Sequence, residues 1–167
     1  MDITINKLFD LMLEYDKGDP RRINHFIKVH EFTKLIGDHL NLTLEDKLIV
    51  QSAAILHDIG IHLSEEIYHD TLGKHQEELG PAEAQKLLEA THHYTPNQRA
   101  RILYLIANHH SYDNITDPLL QILVEADFLV NAYEDNMPQQ AILAFADNVF
   151  RNDYSFHLLC KLFDFHL

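Results

Sequence analysis

Three times in this chain an aspartate or threonine stands directly before a proline at the head of an apolar run: Asp19-Pro20, Thr95-Pro96 and Asp117-Pro118. The first residue offers an oxygen to the unpaired N–H groups of a first helical turn. The proline, with no N–H to lose, fits the first helical position. Thr43-Leu44-Glu45-Asp46 adds a fourth start signal, its acidic first turn complementing the helix dipole. No period-two alternation persists anywhere, so the pattern predicts an all-α fold, a single-domain helical bundle of about six or seven helices.

Taken in order, residues 3–17 carry Ile5, Leu8, Phe9, Met12 and Leu13 at helical spacing, and Gly18 ends that run. A second helix is expected from residue 20 to about 40, and a third from Thr43 into Ala53-Ala54-Ile55-Leu56-His57-Asp58-Ile59-Gly60. Residues 60–81, punctuated by Gly60, Gly73, Gly80 and Pro81, read as a long functional loop, with Pro81 opening the next helix. Another helix runs from Pro96 to Asn108-His109-His110, and a strongly apolar one starts at Pro118. Residues 138–167 continue as helix.

At 167 residues and 46% hydrophobic side chains, the chain has the makings of one ordinary domain with a full core. The formal net charge of -13 opposes phosphate-contact binding to a nucleic-acid polymer or an anionic membrane, while leaving room for a small anionic substrate where a cation waits in a pocket. No apolar run reaches the roughly 20 residues of a membrane span, and Met1-Asp2-Ile3-Thr4 lacks the marks of a leader, so the expectation is a cytoplasmic protein. Cys160 has no partner for an internal disulfide. The anomaly is the histidine count, 13, since neutral imidazole is the commonest metal ligand.

Side-by-side His57 and Asp58 at the end of an apolar helix are costly to bury unless something compensates, and one cation satisfies both. His25 lies one turn before Val29 on the apolar side of the second helix. Asp127 shares a helix face with Leu120, Leu123 and Val130, which puts a carboxylate on a buried surface, whereas Glu125 is free to face solvent. Arg22 and Lys28 flank His25 and suit a substrate phosphate. For His62, His69 and His75, taken singly, an exposed loop position is the simpler interpretation.

The ordered set of His25, the His57-Asp58 pair and Asp127 resembles the HD superfamily of metal-dependent phosphohydrolases, whose pattern is a His, then a His-Asp pair, then a later Asp. Three segments carry the likeness: Arg22-Ile23-Asn24-His25-Phe26-Ile27-Lys28-Val29, Ala53 through Gly60, and Leu123-Val124-Glu125-Ala126-Asp127. The resemblance spans about 20–135 and implies an HD-like domain over residues 1–167, with 138–167 packing on that core. It further implies that His25, His57, Asp58 and Asp127 hold one divalent transition metal (Mn, Fe, Ni, Co or Zn), with Asp58 also orienting an activated water. A second metal, which some members hold, would draw on His75, His109 and His110. In those members the loop histidine stands four residues before a glycine; here His75 is five before Gly80, and Ile61 stands where many members carry lysine. The implied activity is hydrolysis of a small phosphate ester or anhydride, a nucleotide or dinucleoside polyphosphate. The alternatives are a di-iron oxygenase acting on a small organic or phosphonate substrate and a non-catalytic metal-binding regulatory module. Oligomeric state is left open.

Overall fold

All four start signals nucleate helices. In the computed structural model, which describes residues 3–165, Asp19 accepts from the Arg22 N–H at 3.0 Å and Thr43 from the Asp46 N–H at 3.1 Å. Thr95 and Gln98 form a reciprocal capping box, and Asp117 accepts from the N–H groups of Leu119 and Leu120. The described residues form nine helices and no strand: α1 Ile3–Tyr15, α2 Pro20–His39, α3 Leu44–Leu56, α4 Ile61–Tyr68, α5 Gly73–Thr91, α6 Pro96–Ile106, α7 Pro118–Glu134, α8 Gln139–Val149 and α9 Asp153–Phe163. None is long and apolar enough to cross a membrane.

The centre of the molecule is α7, buried without interruption from Leu119 to Val130. A helix buried on every side can only be enclosed by others. α2 packs against both α7 and α3, and α3 in turn meets α1, α6 and α7. Phe26, Ile55, Leu56, Leu105 and Leu123 are fully buried there, each worth about 1.5–3 kcal/mol relative to exposure. The α3 end that carries the His-Asp pair is thereby set against α2 and α7.

The count of nine corrects the expected six or seven, and the excess has two sources. Residues 60–81 are not a long loop: α4 occupies eight of them, and α5 begins at Gly73 with Pro81 inside it. Proline in a helix interior costs on the order of 3 kcal/mol, so packing must outweigh it. A β-carbon at Gly60 would lie 2.7 Å from the Gly80 nitrogen, and one at Gly80 would lie 3.2 Å from Ile106, so the turn after α3 is pressed onto α5 beside the proline.

The second source is a break at Phe150-Arg151-Asn152, which splits the C-terminal segment into α8 and α9. Glu125 makes that break. Far from facing solvent, it is fully buried, and its carboxylate accepts from the Arg151 and Asn152 backbone N–H groups at 2.6 and 3.2 Å and from the Asn152 amide at 2.7 Å. α9 then packs on α7 and α2.

Candidate metal centre

α2, the turn after α3, and α7 deliver four side chains to one point. The Nε2 atoms of His25 and His57 lie 3.1 Å apart. Asp127 Oδ1 is 3.2 Å from the first and 3.4 Å from the second. Asp58 Oδ2 is 3.7 and 3.6 Å from the same two atoms. His57 is fully buried, and His25 and Asp127 nearly so.

Hydrogen-bond partners assign the ring protons. His57 Nδ1–H donates to the Ala54 carbonyl at 2.9 Å, and His25 Nδ1–H donates to Glu134 Oε2 at 3.0 Å. With Nδ1 so engaged, both rings turn Nε2 inward, toward each other and toward the two carboxylates. Two ring nitrogens 3.1 Å apart beside two carboxylates call for positive charge among them, a proton on His25 or a cation in its place, and His25, His57 and Asp58 already form a metal-competent group. The donors fit a divalent transition ion: nitrogen and carboxylate oxygen in a buried hollow, with ring nitrogens fastened from behind. The electrostatics agree. Burial works against a proton on His25, yet Asp127, Asp58 and Glu134 overcome it and raise its pKa to about 9. Asp127 and Asp58 are held below the usual carboxylate range despite their burial, by the histidines around them.

A further group lies beside the first. His109, fully buried, donates Nδ1–H to the Ile106 carbonyl at 2.7 Å and turns Nε2 to Asp58 Oδ1 at 3.0 Å. His110 Nε2 is 3.6 Å from the same oxygen. His75 is not in this group. It points to Asp70, 2.8 Å away, and stacks on Tyr68. His62 and His69 also lie outside both groups; His69 ends α4 in the left-handed region.

The centre opens into a cleft of about 610 Å³. Arg22 lines it, held by Asp19 at 3.2 Å, Glu65 at 2.7 Å and His62 Nδ1 at 2.7 Å. Lys28 does not. Its ammonium pairs with Glu134 and lies along a separate shallow groove with Asn24 and Tyr133. Across the cleft stands an aromatic wall in which Phe145 stacks on Phe128 at 3.8 Å and Tyr112 meets Phe145 edge-on.

Three contributors escape a reading of the sequence. Glu134 backs His25, Asn131 donates to Asp127 Oδ1 at 2.9 Å, and Gln76 accepts from His110 Nε2 at 2.9 Å. For the first two a signal exists, because Asp127, Asn131 and Glu134 stand at i, i+4 and i+7 on one helix face.

A family model described as HD domain matches residues 22–150. No curated protein matches the chain. Among solved structures, it is similar to the crystal structure of a predicted HD superfamily hydrolase from an uncultured Thermotogales bacterium, at 22% identity and a TM-score of 0.65, covering 95% of this chain and 84% of that one. At such identity the likeness speaks for the fold, and the fold agrees with a match that spans most of the sequence and takes in His25, His57, Asp58 and Asp127: this chain belongs to the HD-domain family.

Proposed function

We propose that the chain is a metal-dependent phosphohydrolase acting on a small phosphate ester or anhydride, a nucleotide or dinucleoside polyphosphate being the best fit. The observation that carries this reading is the convergence of the His25 and His57 Nε2 atoms, 3.1 Å apart, between the carboxylates of Asp127 and Asp58. The description of the structural neighbour as a predicted hydrolase agrees with it. His25, His57, Asp58 and Asp127 would hold the ion. A bound divalent ion supplies charge to phosphoryl oxygens and makes water a stronger nucleophile.

The chain's own residues do the rest. Asp58, partly open to the cleft, orients the attacking water. Arg22 presents a guanidinium to the substrate phosphate, its fork already ordered by Asp19 and Glu65. Lys28 acts through Glu134, and the aromatic wall offers a flat apolar face to the remainder of the substrate.

The test is hydrolysis, read by chromatography of the products, of a panel of nucleoside mono- and polyphosphates, dinucleoside polyphosphates and phosphodiesters, with Mn, Fe, Ni, Co or Zn supplied. Turnover of at least one class should fall about 10³-fold in Asp58→Ala, the scale of several kcal/mol of lost transition-state stabilisation. A metal-loaded protein that hydrolysed nothing in the panel would overturn the reading.

A further inference from the structure

The second donor group, Asp58, His109 and His110, has three candidate ligand atoms, and the direction of one of them decides whether it can work. Gln76 is buried on α5, and its amide is committed at both ends: Nε2 donates to the Thr71 carbonyl at 2.7 Å and Oε1 faces His110 Nε2 at 2.9 Å. An amide flip would set oxygen against the Thr71 oxygen. The orientation is therefore fixed, and an acceptor at 2.9 Å requires His110 Nε2 to carry its hydrogen. A ring nitrogen that donates has no lone pair for a metal.

His75 cannot take the vacated role. It precedes Gln76 by one residue, so presenting it to the cleft means turning α5 by about 100°. The Gly60–Gly80 contact forbids that turn: even a β-carbon on Gly60 would come within 2.7 Å of the Gly80 nitrogen and 3.1 Å of the Gln76 carbonyl oxygen. That same contact places Gln76, four residues before Gly80, opposite His110. Gly73 at the start of α5 lies under the His110 ring, where a β-carbon would sit 2.7 Å from Cγ, and leaves the ring no room to retreat.

We infer that Gln76 closes the second metal position by engaging the Nε2 of His110, so that this protein holds a single ion, in the His25, His57, Asp58 and Asp127 group. The inference rests on the proposed metal-dependent reading of that first group. It sets this chain apart from a two-iron oxidation centre, for which the second donor set would have to be filled.

The experiment is a titration of chelator-treated protein with Mn²⁺, followed by electron paramagnetic resonance and elemental analysis. Wild-type protein should take up one equivalent as an isolated ion, His110→Ala should also take up one, and Gln76→His should take up two, with a spin-coupled signal. Two equivalents in the wild type, or loss of an equivalent in His110→Ala, would overturn the inference and leave the hydrolase reading standing. One equivalent in Gln76→His would move the closure away from Gln76 and overturn the assignment to that residue. No uptake by the wild type would remove the first group as a metal site, and with it both readings.

Discussion

Glu134 shows how much of a metal site lies behind its ligands. It stands between Lys28 and His25, and its carboxyl is held low by the ammonium and the imidazole despite partial burial. Removing it in Glu134→Ala frees the His25 ring to rotate or change tautomer. Metal affinity measured by calorimetry should fall about 10–100-fold, the usual scale for partners that orient a ligating histidine, and Glu134→Gln should recover part of it. An unchanged affinity in Glu134→Ala would show that α2 alone orients the ring.

Proton linkage gives a second prediction at the same scale. The native pKa of His25 is raised to about 9, above the ordinary 6.5, so an ion must displace a proton from it at neutral pH. Apparent affinity for Mn²⁺ should climb by up to about tenfold per pH unit from 7 to 9 and then level off. The same shift stabilises the metal-free protein below pH 6.5 and loses that contribution as pH rises toward 9. An affinity flat across this range would mean that His25 is neutral before the ion arrives.

At the scale of elements, what the sequence discloses follows what is local. Asp19, Thr43, Thr95 and Asp117 cap within three residues of their own position, and each start was readable. Pro81 was misleading because what outweighs it, the pressing of Gly60 on Gly80, joins residues distant in the chain. Glu125 misled for the same reason, since its partners Arg151 and Asn152 are 26 and 27 residues away. The His-to-Asp pattern was legible because His25 and Asp127 lie on the apolar sides of their helices and His57-Asp58 directly follows the apolar run that ends α3. Gln76 was not, because its role depends on the rotation of α5. Glu125→Ala should take the shared acceptor from the Gln121 amide, which donates to it at 2.7 Å, and from the Arg151 and Asn152 N–H groups, and cost about 3 kcal/mol. By thermal denaturation that is a fall in Tm of roughly 6–12 °C, larger than for any single exposed carboxylate; a change under about 2 °C would mean water replaces Glu125 at the α8–α9 break.

For the whole molecule, the decisive feature is that α7 is enclosed by helices that all precede or follow it in sequence, with both Asp127 and Glu134 on it. During synthesis α1 to α6 can pack on one another around α3 but lack the helix that α2 and α3 both face, and His25 waits for a partner made 109 residues later. At about 5–20 residues per second that is an interval of roughly 5–20 s. A fragment ending at residue 117 should be cut readily by protease and retain little cooperative unfolding, whereas one extended through residue 150 should resist both. Protection already complete at residue 117 would show that the first six helices hold together unaided. If α7 is needed, the half-made chain carries His57 and Asp58 on a surface still open to water, and a site that the finished protein buries is one its ribosome leaves exposed until Asp127 has been made.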